Sequence, residues 1–90
     1  MKKSKLQHLD IVVTRDGTLH YYLEDSQKLV GKEGFLFLAE YDENLVQRIP
    51  PLVEDFDIVE VHRMEEPALD HLNIRYVLDV CATTLIWKKN

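Results

Sequence analysis

The sequence predicts an α+β domain: a mostly antiparallel sheet of five to six strands, opened by an N-terminal β-hairpin and carrying one or two short helices on one face. Three observations lead there. Two β-rich runs, Leu9-Asp-Ile-Val-Val-Thr14 and Thr18-Leu-His-Tyr-Tyr-Leu23, flank Asp16-Gly17, a pair that supplies the positive φ values of a tight hairpin turn. Phe35-Leu-Phe-Leu-Ala39 is continuously apolar between turn signals, which is how a strand covered on both faces reads. Leu72 to Trp87 is the most apolar stretch, rich in β-branched residues, and is the expected centre of packing.

The chain has 90 residues, 46% hydrophobic and 30% charged, and reads as one domain over 1–90 with one core. Residues 1–7, with Lys2, Lys3 and Lys5, read as a frayed basic N-terminus. They look like a signal-peptide start, but His8, Asp10 and Arg15 break the next stretch before an apolar segment can form. A lone cysteine, Cys81, fits a reducing compartment, and the expected location is cytoplasmic.

With Asp16-Gly17 as a two-residue turn, Val13 pairs with His20 and Ile11 with Tyr22, while Val12 faces Tyr21 and Asp10 faces Leu23. Each side then holds apolar groups beside a polar one, so one face is expected to be fully covered and the other partly, by another chain. Glu24 to Gly34 breaks any period and reads as a loop. Its Gly31-Lys32-Glu33-Gly34 lacks the spacing of a phosphate loop. Phe35 to Glu40 is placed centrally in the sheet.

Asp42 offers an N-cap for a short helix with Leu45, Val46 and Ile49 at helical spacing, stopped by Pro50-Pro51; a strand over 44–49 competes. Phe56 to His62 reads as a strand with Ile58, Glu60 and His62 on one face and Asp57, Val59 and Val61 on the other. Glu65-Glu66-Pro67 suits a helix start, with Ala68, Leu69 and Leu72 continuing it and Asn73 ending it. Between Ile74 and Trp87 alternation predicts a strand to about Val80 and a second over Thr83 to Lys88. A helical stripe of Leu69, Leu72, Tyr76, Val77 and Val80 competes, but a helix there would be apolar nearly all round.

Charge is segregated along the chain. From Glu40 to Asp70 there are ten acids and two bases, and the remainder is net positive, within a total of −5. This opposes direct nucleic-acid binding, which needs a clustered Lys/Arg footprint. No apolar run is long enough for a membrane span. The acidic middle is either a solvated face or a surface that steers a basic partner.

Residues with catalytic chemistry are sparse. Glu60 and His62 share a strand face and are the alternative metal ligands, for a hydrolase that activates water through a divalent cation. Asp42, Glu54 or Asp55 would approach from loops. The order Asp…Glu60-Val61-His62 resembles the acidic pair and Glu-x-Lys of metal-dependent nucleases, with histidine in the lysine position. The four histidines and Cys81 lack zinc spacing, Cys81 has no downstream arginine and reads as a buried structural thiol, and no nucleophile triad is identifiable.

These observations leave three functional classes. The first is a non-enzymatic, cofactor-free protein-interaction or regulatory module, homodimeric, acting through an open sheet edge and an acidic surface over residues 40–66. Its expected partner-binding residues are Asp42, Glu43, Glu54, Asp55, Asp57, Glu60, Glu65 and Glu66, with Tyr21 and Tyr22 as an aromatic patch. The second is an acidic, phage-type inhibitor that covers the basic groove of a nucleic-acid-processing protein. The third is the metal-dependent hydrolase using Glu60 and His62.

Overall fold

The computed structural model describes residues 1–48, 54–70 and 72–89, the Glu54 side chain excepted. Among the described residues the strands are β1 (Ile11–Thr14), β2 (Leu19–Leu23), β3 (Lys28–Gly31), β4 (Phe35–Phe37), β5 (Ile58–Met64) and β6 (Thr83–Lys88), with one α-helix, α1 (Ile74–Val80). They form a six-stranded sheet in the order β4-β3-β2-β1-β5-β6, and every pairing is antiparallel. The architecture is α+β with a mostly-sheet core. Among the described residues no helix is long and apolar enough to cross a membrane.

The turn between β1 and β2 differs from the expected one by a residue. Ile11 pairs with Tyr21, Val12 with His20 and Val13 with Leu19. The turn therefore holds three residues, Arg15-Asp16-Gly17, with Gly17 at φ 89°, a conformation open to glycine at little steric cost. The cause lies outside the hairpin: the Arg15 and Asp16 amides donate to the carbonyls of Asp57 (2.8 Å) and Asp55 (3.0 Å). Thr14 and Thr18 hydroxyls and the Thr18 amide all donate to the Asp16 carboxylate, which closes the turn and holds that carboxyl below its ordinary range, Thr14 contributing most.

This one-residue shift decides which side chains share a face. Val12 and Tyr22 point to one side, with Leu29, Leu38, Tyr41, Leu45, Ile58 and Val61, all buried. Ile11 and Tyr21 point to the other, under Ile74 and Val77 of α1 and beside Met64. We call these the closed face and the helix face. The expected grouping of Ile11 with Tyr22 and of Val12 with Tyr21 is thus inverted.

β5 also departs from simple alternation. Val13 pairs with Glu60 and Thr14 with Ile58, so Val59 is an extra residue on β5, a bulge that lets Ile58 and Val61 reach the same closed face three positions apart. Glu60 and His62 remain together on the helix face, without Ile58. On the other side Val61 pairs with Trp87 and His62 with Leu85, leaving Ile86 as an extra residue in β6.

Five other expectations are overturned. The segment read as a loop contains β3, held by pairing with β2 over Lys28 to Gly31. Gly31 sits under the His20 ring: a Cβ there would lie 2.8 Å from His20 Cδ2 and 2.8 Å from the Leu19 carbonyl oxygen. The Phe35 run is an edge strand of three residues, and Leu38–Glu40 turns away as a 3₁₀ helix that buries Leu38. Neither helix nor strand forms over 44–48. Asp42 accepts the amides of Asn44 (2.8 Å) and Val46 (3.1 Å), and Leu45 takes φ 65°, which interrupts both; Ile49, Pro50 and Pro51 lie outside the described residues.

The helix expected from Glu66 to Asn73 is displaced. Residues 67–70 have no regular structure, His71 lies outside the described residues, and α1 begins at Ile74, in place of the expected strand. α1 satisfies itself with little burial: Ile74 and Val77 are buried, whereas Tyr76 and Val80 stay in solvent. The strand over Thr83 to Lys88 forms as expected.

Candidate functional site

The sequence-predicted residues do not converge. Tyr21 and Tyr22 are buried in the two cores, so they offer no aromatic patch. The Tyr22 hydroxyl accepts from Gln27 Nε2 (2.9 Å) and that of Tyr21 from the Asp70 amide (3.4 Å), and burial raises both phenols above their ordinary values. Asp57 is buried, accepts the Gln47 amide at 3.0 Å and lies 3.9 Å from Arg15. Asp42 is occupied by its two amides and by Arg48 Nε (3.0 Å); the amide of Val46 above all holds its carboxyl low.

The remaining acids lie apart. Glu43 is exposed beside Lys2 (3.7 Å), Asp55 is exposed near the β1–β2 turn, and Glu65 and Glu66 are exposed just past the far end of β5. A seven-residue strand separates the last two from Asp55 and Asp57, roughly 20 Å at strand rise. The acidic segment therefore does not form one patch. Of Glu54 the structure describes only backbone, in the 3₁₀ turn Glu54–Phe56.

Glu60 Oε1 and His62 Nε2 do meet, at 3.1 Å. Nothing else joins them: among the described residues there is no group of three or more His, Cys, Asp or Glu side chains able to hold a metal ion. Two ligands on one strand face leave a cation mostly to water. Cys81 is half-buried at the end of α1 rather than fully enclosed.

An ion pair absent from the sequence reading is better built. Asp10, 1% exposed, accepts from Arg63 Nε and Nη2 at 2.8 Å each and from the Gln7 amide at 2.8 Å. Arg63 Nη2 also donates to the Lys5 carbonyl oxygen at 3.2 Å. The bidentate contact raises the guanidinium above its ordinary value. Both partners are consumed in tying residues 5–10 to β5. Further contacts fix the same segment: the Lys3 amide donates to the Glu43 carbonyl oxygen (2.7 Å), Lys3 Nζ to that of Tyr41 (3.0 Å), and Leu6 is buried.

The surface with spare binding capacity is on the helix face. Among the described residues, the large apolar side chains left exposed all lie on that side or at its rim: Phe35, Phe37, Leu69, Leu72, Tyr76, Val80 and Leu85. Tyr76 is 66% exposed and Phe35 52%. Phe35 and Phe37 reach this side because they stand opposite Val30 and Lys28, in line with Tyr21 and Leu23. Their rings pack edge to face, 5.2 Å apart, with Lys28 Nζ 4.5 Å from the Phe35 centroid.

An open groove of about 920 Å³ runs past the turn end of the sheet, with Leu19, Phe35, Leu72, Ile74 and Tyr76 as apolar walls and Lys32, Arg75 and Asp79 as charged ones. His20 borders it on the closed side. Burial, opposed by Asp16, lowers its imidazole pKa, and among the described residues its Nδ1 has no hydrogen-bond partner. Comparison with known proteins finds no matching family model, no matching curated protein and no matching solved structure.

Proposed function

We propose that this chain is a homodimeric protein-interaction module that works through its helix face and the β4 edge. The observation that carries this reading is one-sidedness: among the described residues the exposed large apolar side chains gather on one face, and the closed face has none. Scattered apolar residues need no explanation, but a set confined to one side of a small sheet fits a surface that another chain covers. The acidic residues support a lesser role. With Asp42 and Asp57 held by amides and arginines, the free carboxylates would tune solubility and approach rather than form the contact.

Light scattering on a size-exclusion column, from low micromolar to near-millimolar protein, tests the reading. A dimer mass is expected at high concentration, and it should persist in high salt because an apolar contact is not screened. A strict monomer throughout overturns it. A contact that forms only with a basic partner at low salt would favour the acidic-inhibitor reading instead.

A further inference from the structure

The sheet has two edges, and they are guarded unequally. β6 carries a bulge at Ile86 and ends in Lys88 followed by Lys89, devices that discourage another strand from pairing. β4 reads Phe35-Leu36-Phe37, with no charge, proline or bulge. Among the described residues its guards are its shortness and the Lys28 ammonium over the Phe35 ring.

The register fixes what β4 presents. The Gly31 amide donates to the Gly34 carbonyl oxygen and the Leu38 amide to that of Gln27. By alternation Gly34, Leu36 and Leu38 direct their backbone groups to β3, so those of Phe35 and Phe37 point outward. Among the described residues no strand pairs with that outer side.

We infer that two copies of this chain pair antiparallel through β4, about a two-fold axis at Leu36, so that Phe35 of each stands opposite the partner's Phe37. This rests on the homodimer reading and specifies it. Phe35 and Phe37 then exchange both of their free backbone hydrogen bonds, and symmetry doubles them. Because the axis is normal to the sheet, both helix faces lie on one side. Four phenylalanine rings, flanked by two copies of Lys28, line the seam between the two helices. The contact is isologous and closes at two copies, whereas β4 on a partner's β6 would propagate without end.

The test uses the full chain with Cys81→Ser as background. Leu36→Cys places the two thiols at the axis in a non-hydrogen-bonded pair, where Cα atoms lie about 4.5 Å apart, within disulfide reach. Mild oxidation at a concentration where light scattering gives the dimer mass should yield a covalent dimer, while Thr84→Cys on β6 should stay monomeric. Phe37→Pro is the second variant: its amide points outward and its φ is −91°, so the β3 pairing survives while the dimer mass is lost. Cross-linking through Thr84, or a Phe37→Pro variant that folds and still dimerises, overturns the β4 seam. If a dimer is seen by light scattering in that case, the homodimer reading stands and only the seam is wrong. A strict monomer removes both.

Discussion

On the closed face, Val12, Tyr22, Leu29 and Val61 lie beneath Leu6, Leu38, Tyr41 and Leu45, side chains delivered by the N-terminal segment and by the connection after β4. On the helix face, Ile11, Tyr21 and Met64 lie beneath a helix of seven residues that brings down only Ile74 and Val77. The first cover is irregular backbone pinned by side-chain and backbone hydrogen bonds, among them Tyr41 Oη donating to the Phe56 carbonyl oxygen at 2.6 Å. The second is regular but partial, and leaves an apolar rim in water. A chain of this length has surface enough to bury one side of a sheet thoroughly. The difference teaches that irregular segments can make the tighter lid when their polar groups are individually satisfied.

Truncation should therefore hurt the two faces unequally. Leu29→Ala, which opens a hole in a fully enclosed cluster, should cost about 4 kcal/mol in urea unfolding. Val77→Ala, which removes two methyl-sized groups beneath a helix able to settle, should cost about 1.5 kcal/mol. Equal losses would mean that the helix is as tightly seated as the closed lid.

The Asp10–Arg63 pair offers the next largest effect. Asp10→Ala leaves the guanidinium and the Gln7 amide without their acceptor and should cost about 3 kcal/mol. It should also raise hydrogen exchange at residues 3–8 well before the helix responds, because the pair ties that segment to β5. Uniform exchange across both faces would show that the pair does not anchor the lid.

The smallest effect is a pH dependence at the rim. Burial keeps the His20 imidazole below its ordinary value of 6.5. As pH falls below that value, the unfolded chain takes up a proton before the folded one does. Stability therefore declines until the folded-state value is reached, and this contribution is flat below it. Between about pH 7 and about pH 5 the melting temperature of the wild type should fall more than that of His20→Gln. Parallel profiles would place the pH response in other groups.

Much of the sheet is legible in the sequence, because β1, β5 and β6 carry β-branched residues and β2 its paired tyrosines, and their pairing agrees with their propensity. Inferences from burial are the ones that fail. A strand at Ile74 rests on the premise that Tyr76 and Val80 must be covered, yet both are exposed on a helix. The same premise places Phe35 and Phe37 centrally, and instead they lie at an edge beneath Lys28. β3 is hidden because Lys28-Leu-Val-Gly31 is short and set between polar turns, so pairing with β2 and β4 makes it a strand, not composition. The candidate acids are legible as a charge excess only. That Asp42 and Asp57 cap amides while Asp10 grips Arg63 depends on contacts between distant positions, which charge patterning does not encode.

The strand order carries a consequence for how the chain reaches this state. β4, β3, β2 and β1 are neighbours in sequence as well as in space, and β5 and β6 pair around α1, so each group forms through local closures. Among the described strand pairings, the β1–β5 seam is the one that joins residues far apart along the chain, Thr14 with Ile58 and Val12 with Val61. Closing that loop is the entropically expensive step. The seam should therefore be the late, rate-setting event, with two preformed halves meeting along it and the bulge at Val59 serving as the notch that sets their alignment.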